Sequence, residues 1–374
     1  MKYNITNNYN IGAKRPKLWC EVKTLFLPNE QWNYAHHPCI AHFKGKLYVA
    51  YSNGHCWEDD CGQRIMLSIA EEFDEWSAPQ ILLDSQPGDP CEAVLIPQAL
   101  YAAKEHLVLY FLSFEYTEES IRDGHRRPGG VSRKNWKMNY MVTEDGEHWS
   151  EPVAFDFHGG NHTPMKLKSG RLLSGGSTTF SYSDEDDGIH GWKSSGIDEK
   201  YSEHKQPGGV SGGGGFKVNN DNSRPAGLCE SSFIQTDDGV IHMLMRSGTD
   251  YLWCSDSFDD GETWGEPYRT KFTDNRTKFQ FSRLPNGTFY YLGTPDPFPP
   301  RTRHVLVLSL SDDGLDYRRH FILRDDQYKG MYIGLDKNGI YGYPTSIVHD
   351  GYLYVAYSIC KESIQVLRIP CDTL

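Results

Sequence analysis

Short runs in which apolar and polar residues alternate, each entered through a turn and most of these glycine-containing, recur along the whole chain. The clearest are aromatic-rich: GKLYVAYS from Gly45, EHLVLYFLSF from Glu105, GRLLSGGSTTF from Gly170, GVIHMLMRSG from Gly239, GTFYYLGTP from Gly287 and GYLYVAYS from Gly351. A period of two residues is that of a strand, and aromatic and β-branched side chains suit a half-buried pleated surface. No helical periodicity of comparable length competes. The six runs start 60, 65, 69, 48 and 64 residues apart. Units of three or four short strands repeated at that interval predict an all-β fold, a β-propeller of six blades. The irregular region 177–225 leaves room for a seventh. Residues 1–374 read as a single propeller domain. The last unit lacks a fourth strand after SIQVLRIP. An N-terminal strand at about residues 18–27, in WCEVKTLFLP, is expected to supply it and so remove an exposed edge.

A second pattern marks the turns. SFDDGETW, Ser257 to Trp264, fits the Asp-box pattern S-x-D-x-G-x-T-W in full; TEDGEHW (143–149) and SDDGLDY (311–317) are weakened copies, and AEEFDEW (70–76) keeps little but its tryptophan. In such a turn Ser and Asp bond backbone groups, Gly takes a conformation closed to other residues, and the aromatic packs beneath. The motif identifies architecture and says little about chemistry.

Composition narrows the class. Of 374 residues 38% are hydrophobic, mean hydropathy is -0.60, and no apolar run approaches the length needed to cross a bilayer. The net charge of -12 argues against nucleic acid and anionic membranes as partners, yet a local arginine cluster can still hold an acidic ligand. Aromatic residues make up 13%, which suits strands and also sugar rings. Nine cysteines show no regular framework, so Cys56, Cys61 and the rest read as free thiols in a reducing compartment. The polar start MKYNITNNYN lacks a signal-peptide core. The expectation is a cytoplasmic protein, with a trimmed secreted or periplasmic form as the alternative.

Propeller topology then sorts the polar residues by face. The starts of the inner strands and the loops joining second to third strands open on one face, with Asp boxes on the other. The inner strands are expected to start at HHP (36–38), IPQ (96–98), NHTP (161–164), CES (229–231), QFS (280–282) and YPT (343–345). Loops 52–64, 115–136 and 294–303 add Arg64, Arg126, Arg127, Arg133, Arg301 and Arg303, and Arg246 ends a second strand there. Guanidinium groups hold carboxylates bidentately, so this face suits an anionic ligand; each arginine has as its plainer reading an ion pair with a neighbouring loop acid. Adjacent side chains on a strand alternate, so only one of His36 and His37 is expected to face the pocket. His162 offers a further imidazole there and Gln98 an amide. Glu92 reads as a loop acid. GGVSGGGGF (208–216) lacks a phosphate-loop ending and reads as a flexible connection or lid. No close-spaced ligand motif points to a metal; no cofactor is implied, and a structural calcium ion is left open.

These residues resemble the sialidase (neuraminidase) superfamily of Asp-box propellers over all six units. CESSFIQTDDGVIHMLMR is similar to the segment in which a Glu opens an inner strand and an Arg closes the next. The resemblance implies Glu230 as the base behind a nucleophile and Arg246 as a carboxylate-binding arginine. YGYPTSIVHDGYLYVAYS resembles the segment carrying the nucleophilic tyrosine, here Tyr343. PFPPRTRHVLVLSLSDDG resembles the segment supplying another arginine, Arg301 or Arg303. The loop with Glu58, Asp59 and Asp60 lies where sialidases carry an acid/base aspartate. The first inner strand departs from the pattern, with His36-His37-Pro38 where sialidases have an arginine. Losing one of three carboxylate forks costs roughly 1.5–3 kcal/mol. HHP followed by GQR resembles instead sialidase-like propellers acting on rhamnose–glucuronic acid linkages, some hydrolases and some lyases, in which one histidine carries the chemistry.

The expected function is therefore an exo-acting, histidine-dependent glycoside hydrolase or polysaccharide lyase on a uronate-containing oligosaccharide or polysaccharide. His36 or His37, Tyr343 and Glu230 would do the chemistry. Arg64, Arg246, Arg301, Arg303, His162, Gln98 and Asp60 would bind substrate. An exo-sialidase using Tyr343 and Glu230, and a non-catalytic glycan-binding propeller, are the alternatives.

Overall fold

A computed structural model describes residues 2–129, 131–197 and 222–374; the glycine-rich stretch 208–216 lies outside them. Six four-stranded antiparallel sheets succeed one another along the chain. Blade 1 is Tyr34–Phe43, Lys46–Gly54, Arg64–Ala70 and Gln80–Leu83; blade 2 is Val94–Ala102, Leu107–Tyr116, Arg133–Thr143 and Val153–Ala154. Blade 3 is Met165–Lys166, Leu172–Leu173, Thr179–Ser183 and Lys193–Gly196; blade 4 is Cys229–Gln235, Ile241–Arg246, Tyr251–Ser257 and Tyr268–Thr273. Blade 5 is Gln280–Arg283, Phe289–Gly293, Leu306–Ser311 and Arg319–Arg324. Blade 6 is Tyr341–His349, Tyr352–Ile359, Ser363–Pro370 and, from the other end of the chain, Glu21–Phe26.

Apolar side chains on facing sheets fill the wedges between blades. Leu292, Leu308, Val355 and Leu367 join blades 5 and 6; Ala41, Tyr48, Leu100 and Leu109 join blades 1 and 2; Val49, Ile40, Ala356 and Val366 join blades 6 and 1. Equivalent clusters join blades 3 to 4 and 4 to 5, and Tyr110 with Phe155 and Trp192 joins 2 to 3. Each sheet among the described residues is thus packed against its neighbours in the ring.

The Asp box at Ser257–Trp264 closes on itself. Ser257 Oγ accepts from the Gly261 N–H at 2.9 Å, Asp259 Oδ1 accepts from the Thr263 N–H at 2.9 Å, and Gly261 has φ +84°. Trp264 packs on Phe180 of blade 3 and Phe233 of its own blade. Thr143–Asp145 and Ser311–Asp313 make the same bonds.

Two expectations need correction here. Region 177–225 does not hold a seventh blade in its described part: Thr179–Ser183 and Lys193–Gly196 are the outer strands of blade 3. Between them runs an Asp-box-like turn in which Asp187 Oδ1 accepts from the N–H groups of Ile189 and His190, disguised in sequence by its spacing. Nor are all the cysteines free: Cys61 and Cys91 form a disulfide, with Cα atoms 5.9 Å apart, tying the loop after blade 1's second strand to the lead-in of blade 2. No helix among the described residues is long and apolar enough to cross a membrane.

Candidate active site

Inner strands of four blades carry a register shift near their starts, at His36/Cys39, Pro97/Ala99, Cys229/Ser232 and Gly342/Thr345. At three of these a non-glycine residue sits in the left-handed region: His37 (φ 52°), Glu230 (φ 45°) and Tyr343 (φ 51°). A bulge re-aims its side chain out of the strand's alternation, and left-handed backbone costs of order 1–3 kcal/mol, retained where surrounding structure enforces it. The bulge breaks the strand's alternation at the histidine pair, yet one imidazole alone, that of His37, keeps any exposure, 8% against 0% for His36. His36 and His37 lie with ring centroids 4.5 Å apart, and both pack on Tyr343, at 4.3 and 5.2 Å.

Tyr343 is the hub. Its hydroxyl donates to Glu230 Oε1, and Arg246 Nη1 donates to Glu230 Oε2 at 2.7 Å. The pair is contributed by blades 4 and 6, and all three groups are buried. Burial works against the Glu230 carboxylate, but Arg246, the Tyr343 hydroxyl and Arg303 outweigh it and hold its pKa below the ordinary value. Burial and the adjacent Glu230 charge push the Tyr343 phenol well above its ordinary value, so it keeps its proton. Desolvation and neighbouring cations pull His36 well down; His37 is also lowered by burial, although Asp59 and Glu58 oppose it. Both imidazoles are therefore neutral near pH 7. His36 Nδ1 is bonded to Ser358 Oγ at 2.7 Å and His37 Nδ1 to Ser52 Oγ at 3.2 Å. Those bonds fix the rings and leave each Nε2 to face the other way.

Glu58 comes into the site from the loop of blade 1, its Oε1 3.8 Å from His36 Nε2. Lys361, from the last hairpin turn, donates to Glu58 Oε2 at 2.5 Å and to the Asp336 carbonyl at 2.7 Å. Burial raises the Glu58 carboxyl, but Lys361 and His37 outweigh that and hold it well below the carboxylate range. Arg303 is buried, its guanidinium 5.4 Å from the Tyr343 ring centre, with Nε and Nη1 lacking a hydrogen-bond partner among the described residues. Its backbone N–H donates to Asn275 Oδ1 at 2.8 Å. Arg301 feels the charges of Arg246, Arg303, Glu58 and Asp336. This is a local cation excess inside an acidic protein.

Two of the other expected ligands, Arg64 and Asp60, are held by partners outside the Tyr343 cluster. Arg64 stacks on Trp32 at 3.4 Å and donates to Asn53 Oδ1; it makes no bond to the Tyr343 cluster. Arg126 is committed to Asp336 and Arg133 to Asp59. Asp60 is buried and accepts from His125 Nδ1 at 2.6 Å and from the Arg126 N–H at 2.8 Å, which makes it a clamp for the 121–126 hairpin. Cys56, Asp60 and His125 hold metal-type donor atoms within 4.8 Å of one another, but these hydrogen bonds account for the arrangement. His36, His37 and Glu58 also converge, beside Lys361 and Arg303, whose charges oppose a cation. Gln98 is buried at the blade 2 bulge, next to Gly160. His162 is buried at the start of blade 3 with neither ring nitrogen bonded among the described residues.

Sequence reasoning missed Lys278. Blade 5 was expected to open at QFS, yet Gln280 bonds Ser346 deeper along the strand. It is Lys278, two residues earlier and 2% exposed, that reaches the axis, 5.4 Å from the Tyr343 ring centre. The signal was present: a lysine directly before an aromatic strand start. Lys361, in the turn ICKES, was overlooked because hairpin lysines are ordinarily solvent-facing.

With Asp boxes on one face and this charged ring on the other, the molecule has the fold of a six-bladed sialidase-type propeller. The chain belongs to the BNR repeat-like domain family, whose profile matches residues 45–355. Solved structures share the fold. A sialidase superposes with a TM-score of 0.62 at 17% identity over 95% of this chain and 33% of its own. Trypanosoma rangeli sialidase gives 0.65 at 14% identity over 94% of this chain and 59% of its own. A protein of unknown function from Dyadobacter fermentans gives 0.62 at 14% identity over 93% and 99%. The chain thus spans a third to three-fifths of the length of those two sialidases. No curated protein sequence matches it. At these identities the likeness is one of fold.

Proposed function

We propose that this protein is an exo-acting enzyme on a uronate-containing glycan of the rhamnose–glucuronate type, and that it cleaves by elimination. The observation that carries this reading is the opposite protonation bias of touching groups: a phenol, Tyr343, held protonated, packed against two imidazoles held neutral. Environments that push neighbouring groups apart in this way mark acid and base. His37, the more exposed of the pair at 8%, takes the proton on the carbon next to the uronate carboxylate. The electron pair forms the ring double bond as the C4–O bond breaks. Tyr343 gives its proton to the departing oxygen, and the proton taken by His37 passes through water to the phenolate, which restores both groups. Arg303, Arg301 and Arg246 neutralise the carboxylate, whose charge spreads into the enolate as the proton leaves.

A sialidase reading also has an observation in its favour, the Tyr343–Glu230–Arg246 chain, in which Glu230 would withdraw the phenol proton to make a nucleophile. The lowered basicity of Glu230 weighs against it. The Cys61–Cys91 bridge favours action in an oxidising compartment, against the cytoplasmic expectation. The test is incubation with a rhamnose-capped glucuronate glycan and, in parallel, a sialoside. Free rhamnose together with unsaturated-uronate absorbance supports elimination; rhamnose without it means hydrolysis, and released sialic acid the second reading.

A further inference from the structure

Five of the six axial positions hold groups that are neutral or have a counter-charge: His37, Gln98, His162, the Glu230–Arg246 pair and Tyr343. Lys278 is the exception. It has no hydrogen bond and no ion pair among the described residues. Its electrostatic neighbours come from four other blades: His36, His37 and Cys39 (blade 1), His162 (blade 3), Glu230 (blade 4) and Tyr343 (blade 6). A side chain felt by that many blades must point along the axis. Leaving an ammonium buried without a partner is among the costlier arrangements in a protein interior, and a methionine would pack the same volume without that cost. Two further unmet groups lie around it: the ring nitrogens of His162, and Nε and Nη1 of Arg303 on the same Tyr343 ring. The Lys278 ammonium, the Arg303 Nε and Nη1 groups and the one N–H of His162 are donors that no acceptor among the described residues serves.

We propose that Lys278 is a further cation of the substrate-carboxylate clamp, added to the arginines of that site where the first inner strand offers histidines in place of an arginine. The inference rests on the reading of the site as one for an acidic sugar. In it the carboxylate sits over Tyr343 between the Lys278 ammonium and the Arg303 guanidinium, and the His162 N–H donates to the same group or to an adjoining hydroxyl. The cation arrives from blade 5, so the first blade is free to place its imidazoles beside the phenol. Burial pushes the Lys278 amine down to about 8, with the Cys39 thiol and Glu230 opposing, so it stays mainly charged near pH 7 and a bound carboxylate would strengthen that charge.

Calorimetric titration of the full chain with D-glucuronate, its uncharged methyl ester and N-acetylneuraminate tests this, on wild type, Lys278→Met and Lys278→Arg. The expected result is that wild type prefers glucuronate to its ester. Lys278→Met should lose about 10- to 100-fold in glucuronate affinity, with ester binding unchanged and a melting temperature no lower than wild type. Lys278→Arg, which keeps the charge, should retain the preference and guards against a folding artefact in the methionine variant. An unchanged glucuronate-to-ester ratio in Lys278→Met would overturn the role of Lys278 and leave the acidic-sugar reading standing. Binding of N-acetylneuraminate alone, weakened in Lys278→Met, would uphold the clamp and overturn the uronate reading. Wild type that binds neither acid overturns both.

Discussion

In the turn Ser257–Trp264 the polar side chains Ser257, Asp259 and Thr263 find partners within four residues. In the ring around Tyr343 the bonds span 113 positions from Tyr343 to Glu230, 303 from Lys361 to Glu58 and 322 from His36 to Ser358. The turn's donors and acceptors are satisfied locally, and its two left-handed positions are Asp260, a residue type that tolerates that region, and Gly261. In the ring, strained positions are filled by His37, Glu230 and Tyr343, and several donors have no partner among the described residues. Both regions are rich in polar residues, and both repeat with the blades. What separates them is where the partners come from. A polar group satisfied by its own turn serves the fold, whereas one gathered across blades and left unmet is kept for something that arrives later.

The largest effect expected from that contrast is on turnover. Tyr343→Phe and His37→Ala should each lower kcat by about 10²–10⁴-fold with little change in melting temperature, read in a product-release assay beside thermal melts. A fall in stability with kcat intact would place these residues with the turn. Next comes the tie behind the acidic loop. Cys61→Ser with Cys91→Ser should cost about 2–4 kcal/mol for a bridge closing 30 positions, measured by denaturant unfolding, and should raise KM more than it lowers kcat because Glu58 lies in that loop. Asp259→Ala in the Asp box should cost about 1–2 kcal/mol and leave kcat/KM unchanged. If it changed specificity, the division between faces would fail.

The smallest effect is in acid. The Glu58 carboxyl has its pKa held below the ordinary 4.5, because Lys361 and His37 outweigh burial. Its contribution to stability is therefore complete above that pH and is lost as pH falls from there toward the folded value. Glu58→Gln should flatten the stability profile over that acid range, as followed by unfolding midpoints at a series of pH values. An unaltered slope would mean that Lys361 does not hold Glu58 charged.

The same contrast explains how much could be read in advance. Asp boxes and strand periods are local patterns, so the all-β architecture was legible in the sequence. The turn of blade 3, SDEDDGIHGW, escaped notice because its spacing differs from the other boxes, though it closes in the same way around Asp187. Within the site, Glu230, Arg246 and Tyr343 stand at strand ends and were marked out by the resemblance of their segments to those of sialidases, and the structure brings them into contact. Register was the harder part. A bulge between His36 and Cys39 brings both histidines against Tyr343, which strict alternation forbids, and in blade 5 the residue at the axis is Lys278 rather than Gln280. Arg64 and Asp60 were drawn into the expected site by proximity in sequence; Trp32 and His125 hold them elsewhere. Cys61 and Cys91 find each other only once two blades stand side by side.

The central claim is that Tyr343 and the histidine pair form the acid and base of an elimination at an acidic sugar. The most direct measurement is the absorbance of the unsaturated uronate during incubation with a rhamnose-capped glucuronate glycan, for wild type and Tyr343→Phe. Absorbance rising in step with free rhamnose in wild type, and lost in Tyr343→Phe, is the predicted result. Rhamnose released with no change in absorbance, or sialic acid released from a sialoside by the same protein, would contradict it.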